Sequence, residues 1–164
     1  MTRLQELNNS GCNELDFYLP PEIGILWHLA PLFHNSSELQ KLRSLPKEIG
    51  DLSCLKQLTL ENWWSLSFLP VEVGKLTALE DLDLSGCGSL TCLPAEIGGL
   101  SNLKRLNLSG REELKSLPTE IGNLKALEDL DLSFCALLTS LPDKFPGMLP
   151  FVDKVEPRMH DRHW

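Results

Sequence analysis

Five thiols are the first residues that could do chemistry: Cys12, Cys54, Cys87, Cys92 and Cys135. A zinc site or a redox pair needs closely spaced thiols such as Cys-x-x-Cys. None is present, and Cys87 and Cys92 stand five apart. His160 and His163 could share an ion on a helix, but a terminal pair reads more simply as a solvated tail. Gly86, Gly88, Gly98 and Gly99 do not make a phosphate-cradling loop. Ser85, Ser109 and Ser133 suggest no nucleophile, because they recur at a fixed interval of 24 residues. The glycosylation-type triplets at Asn8, Asn35 and Asn107 read as accidents, with Asn107 inside an expected strand. No catalytic residue, cofactor or metal is expected.

The interval itself is the main signal. Leu-Pro-x-Glu-(Ile/Val)-Gly starts at Leu19, Leu45, Leu69, Leu93 and Leu117, with a degenerate copy at Leu141. Between these segments runs Leu-x-x-Leu-x-Leu, from Leu55, Leu79, Leu103 and Leu127, with weaker copies at Leu4 and Leu29. The last two leucines of that run share one face of an extended segment, and the residues between them face away. Such a strand is too short to make a core alone. Stacked copies make a parallel sheet and a continuous leucine core. Pro then opens a helical turn, Glu favours its N-terminus and Gly is expected to end it. Few residues remain for the outer side, so short helices or 3₁₀ turns are expected there.

These motifs resemble the leucine-rich repeat family, over roughly residues 4–150. Cys in the usual Asn position, followed by Leu-Pro-x-Glu-Ile-Gly, is most similar to the intracellular 24-residue repeats of plant and algal disease-resistance-type proteins. The resemblance implies an α/β fold: a right-handed solenoid with the sheet on its concave side and short turns on its convex side. The expected domain spans 1–150, with six strands near 4–12, 29–37, 55–63, 79–87, 103–111 and 127–135. Residues 151–164 are a cap or tail. Cys12, Cys87 and Cys135 share the position after the strand, where they should bond neighbouring backbone. Stacking in this order would set Asn9 beside His34 as a polar pair near a frayed end.

On the outward strand positions the two halves differ. The C-terminal half alternates in sign: Glu80 and Asp81, then Lys104 and Arg105, then Glu128 and Asp129, with Asp83 and Asp131 adding negative charge. Side chains in one row lie about 4.8 Å apart at the backbone. They either satisfy one another as a ladder or steer a basic partner. The N-terminal half is apolar and aromatic. Trp63 takes the Cys position and should pack at the core edge; Trp27, Phe33 and Trp64 are candidate exposed anchors. The candidate partner-binding set is therefore Trp27, Phe33, Lys56, Trp64, Glu80, Asp81, Asp83, Lys104, Arg105, Asn107, Asp129 and Asp131.

Composition narrows the function. Thirty-six of 164 residues are leucine, and the net charge is −8. That acidity argues against nucleic acid as a partner. No apolar run reaches the roughly 18 residues of a membrane span. The first residues do not read as a secretory signal, and unpaired thiols suit a reducing setting, so a cytoplasmic location is expected. A non-enzymatic protein-interaction module is expected, binding a protein partner, with the acidic half suited to a basic one. The alternatives are a permanent structural subunit or scaffold of a larger assembly, and an immune or signalling recognition domain.

Overall fold

The computed structural model describes residues 43–142 and a short strand at residues 6–8. Five parallel strands form one sheet: β1 (Glu6–Asn8), β2 (Gln57–Thr59), β3 (Asp81–Asp83), β4 (Arg105–Asn107) and β5 (Asp129–Asp131). They stand in chain order. From β2 to β5 the register is constant, so Gln57, Asp81, Arg105 and Asp129 make one row and Thr59, Asp83, Asn107 and Asp131 another. The middle leucines of β2 to β5, Leu58, Leu82, Leu106 and Leu130, point into the core.

Each unit contributes leucines at the same places, which is why the core is continuous. Leu55, Leu60 and Leu66 are buried, and so are their equivalents 24 residues on. Each described strand covers only three residues of the nine-residue stretch expected there. Hydrogen bonds between units nonetheless continue past it, for example from Leu60 N–H to the Asp83 carbonyl (2.8 Å) and from Asn62 N–H to the Ser85 carbonyl (2.8 Å). The chain then tightens through bonds spanning three residues, such as Leu66 N–H to Trp63 C=O (3.1 Å).

The outer side is built of 3₁₀ turns at Lys47–Asp51, Val71–Lys75, Ala95–Gly99 and Thr119–Asn123. Pro46, Pro70, Pro94 and Pro118 precede them in extended backbone, with φ between −64° and −68°. Each proline carbonyl accepts from the N–H three residues on, at 3.1 Å. Glycine serves a different purpose here from the expected one. A Cβ on Gly50 would lie 2.8 Å from the Glu72 carbonyl oxygen, and one on Gly98 would lie 2.6 Å from that of Glu120. Gly therefore lets successive turns stack, rather than ending them.

Both edges of β2 are taken. β1 pairs with one edge of β2, Glu6 opposite Gln57 and Asn8 opposite Thr59, while β3 holds the other edge. Asn9 and His34, the expected polar pair, lie outside the described residues. Cys12, Trp27, Phe33, the segment 29–37, the 151–164 cap or tail and the His160/His163 pair lie outside the described residues.

Candidate binding surface

The outward face of the sheet is a polar ladder whose inner rungs are tied together. Glu80 on one side of β3 sits between two lysines, 3.3 Å from Lys56 and 2.7 Å from Lys104. Those ammonium groups hold its carboxyl below the usual carboxylate range, with Lys104 the larger cause, through hydrogen bonding first. One row over, Arg105 grips Asp81 with both Nε and Nη2, a bidentate fork. In the third row Asn107 Nδ2 donates to Asp83 (3.3 Å). Of the two sequence readings, mutual satisfaction describes β2 to β4.

The third row also has a backbone duty. Asp83, Asn107 and Asp131 each accept, through Oδ1, the N–H two residues on, from Ser85 (2.8 Å), Ser109 (3.0 Å) and Ser133 (2.8 Å). These local bonds shape the exit from each strand. The second carboxylate oxygen of Asp83 accepts from Asn107, whereas that of Asp131 has no hydrogen bond among the described residues.

β5 differs. Lys104 and Arg105 are its cationic neighbours, yet both turn back to β3. Glu128 and Asp129 are exposed, and no ion pair joins them among the described residues.

Beneath the face runs a column of donors to the preceding unit. Cys87 Sγ bonds the Leu60 carbonyl and Cys135 Sγ the Leu108 carbonyl, each at 3.2 Å. Burial pushes the Cys87 thiol up to about 11 and raises that of Cys135. Both thiols stay protonated donors at neutral pH rather than reactive thiolates. Trp63 occupies the same column, 5% exposed, with Nε1 donating to Ser65 Oγ (3.1 Å). Arg111, which sequence reasoning passed over, stands there too. It is fully buried, its Nε and Nη2 donate to the Leu84 carbonyl at 3.2 and 3.3 Å, and Nη1 has no partner among the described residues. Burial lowers its pKa to about 10. The signal was available: Arg111 lies 24 residues from both Cys87 and Cys135.

The exposed large apolar residues follow the strands, except Val71, which opens an outer 3₁₀ turn. Trp64 is 72% exposed, as the sequence suggested, and Phe68 and Val71 follow it in the same unit. Phe134, 75% exposed, and Leu137, 44% exposed, were not anticipated. Position 134 is unusual because its backbone is left-handed, φ +62°. Equivalent positions hold Asn62, Gly86 and Gly110 at φ +60°, +66° and +71°, the residue types that tolerate this region. Phe there costs roughly 1 kcal/mol.

The comparisons with known proteins agree with this architecture. A family described as a leucine-rich repeat region matches residues 47–145, and says nothing of a plant or algal subdivision. The leucine-rich repeat domain of the type III effector XCV3220 (XopL) is similar at 44% identity and a TM-score of 0.58, over 62% of this chain and 34% of that one. The Leptospira interrogans protein LIC12759 is 36% identical with a TM-score of 0.44, over 63% and 31%. The Arabidopsis receptor kinase HAESA, solved with the peptide hormone IDA and the co-receptor SERK1, is 27% identical with a TM-score of 0.48, over 64% and 18%. This chain thus spans about a third of the first two and less of the last. No curated protein matches. Folds of this kind commonly serve protein–protein interaction and are typically non-enzymatic. The match runs from the first described turn to beyond β5, and the chain belongs to the leucine-rich repeat family.

Proposed function

We propose that this chain is a non-enzymatic module that binds a protein partner across the concave sheet face and the exposed aromatic rim. The observation that carries the reading is Trp64, 72% exposed where the equivalent residues are Gly88, Glu112 and Ala136. The repeat does not require an aromatic there, and exposed tryptophan is enriched at binding hot spots. The candidate contacts are Trp64, the ladder from Lys56 through Arg105 and Asn107, and Asp129 and Asp131. Trp27 and Phe33 complete the set from sequence. The acidic excess supports a basic partner, and buried reduced thiols support a cytoplasmic setting. No described helix is long and apolar enough to cross a membrane.

Trp64→Ala tests the reading. Partner binding should fall while the thermal midpoint stays near wild type. Loss of folding would make Trp64 a structural residue instead. The structural-subunit reading draws on the apolar run Trp64, Phe68 and Val71 in one unit. It predicts that the isolated chain is insoluble without its assembly.

A further inference from the structure

We propose that the outward face of β5, with Phe134 and Leu137, docks a basic segment of the partner protein that pairs Arg or Lys with an apolar side chain. This rests on the interaction reading and adds a place and a chemistry to it. Phe134 is held left-handed where sister units use Gly or Asn, yet lies 75% exposed, so burial returns nothing for the strain. Leu137 is 44% exposed where the equivalent residues are Ser65, Ser89 and Glu113. Fold stability explains neither side chain.

Charge identifies the occupant. On the same unit Glu128 and Asp129 are exposed, and the nearest cations, Lys104 and Arg105, are committed to Glu80 and Asp81. Asp131 adds its second carboxylate oxygen, the first being taken by Ser133 N–H. A cationic segment can meet these carboxylates, and an Arg can also lie over the Phe134 ring. A second copy of this chain, with its own net charge of −8, is a poor occupant.

The test is a phage-displayed library of random short peptides selected on the intact chain. Selected peptides are then measured against wild type, Phe134→Gly, Asp129→Asn and Trp64→Ala. Enrichment of Lys or Arg with apolar residues is expected. Phe134→Gly should lose about tenfold or more in affinity while its thermal midpoint rises, because the strain is relieved. Asp129→Asn should lose less, together with salt dependence. Glu96→Lys on the outer turns, measured alongside, should bind these short peptides as wild type does. Peptides that are not basic, or that bind Phe134→Gly as tightly as wild type, overturn the proposal. So does a lower midpoint for Phe134→Gly, which would show that the ring packs. Basic peptides lost on Trp64→Ala but kept on Phe134→Gly overturn this docking site and leave the interaction reading standing. No enrichment over blank matrix overturns the docking site as well.

Discussion

β3 and β5 carry the same tripeptide, Asp-Leu-Asp, in the same repeat position. On β3, Asp81 is clasped by Arg105 and the preceding Glu80 by two lysines. On β5, Asp129 and the preceding Glu128 are joined by no described ion pair. The cations of β4 could have turned either way and turn towards β3. Identical local sequence therefore gives a self-satisfied surface in one unit and, in another, carboxylates with no ion pair among the described residues. What differs is the neighbour: Glu80 and Asp81 face basic strands or residues, whereas on the described side Glu128 and Asp129 face only cations already paired. In a solenoid, a row must be read across units before a charge is assigned to binding.

The largest effect that sharpens this contrast is in the core. Leu106 is 1% exposed and flanked on both sides, while Leu130 is 7% exposed. Leu106→Ala should cost about 3–5 kcal/mol and Leu130→Ala nearer 2 kcal/mol, measured by chemical denaturation. Equal costs would show that β5 is as firmly embedded as β4.

Next in size is an alkaline effect. The Cys87 thiol titrates at about 11 folded and near its ordinary 9 unfolded. Raising the folded value means that its stabilisation is complete below pH 9 and lost as pH rises towards 11. Stability should fall through that window, and Cys87→Ala should flatten the slope by up to about 1.4 kcal/mol per pH unit. Cys135 is raised in the same direction but less, so Cys135→Ala should flatten it less. Identical slopes in wild type and Cys87→Ala would contradict the buried-donor account.

The smallest effect tests the ladder itself. Glu80→Gln should barely change stability, because exposed pairs contribute little. It should free Lys104 towards Glu128, which a shift in the Lys104 side-chain NMR resonances would report. Unchanged resonances would mean that Glu80 does not hold that lysine.

Much of this was legible in the sequence because it depends on period alone. Leu58, Leu82, Leu106 and Leu130, the prolines before each turn and the row Gln57–Asp81–Arg105–Asp129 follow from a 24-residue interval. Trp64 was legible as an exposed residue because it broke a column of small and polar residues. Other features depend on contacts between units. The direction in which Lys104 turns is a choice between two carboxylates that spacing cannot make. Gly98 looks like a turn terminator until the Glu120 carbonyl is seen against it. Phe134 looks like an ordinary loop aromatic until its backbone sign is known. Arg111 stood in the donor column all along, but a charged residue is not sought among buried thiols.

The central claim is that the sheet face and its rim, not the outer turns, meet a protein partner. The most direct measurement is quantitative affinity purification from the source cells with wild type, Trp64→Ala, Phe134→Gly and a turn-face variant, Glu96→Lys. The account predicts that proteins retained in stoichiometric amount by wild type are lost with the rim variants and kept with Glu96→Lys. Retention unaffected by both rim variants, or lost only with Glu96→Lys, would contradict it.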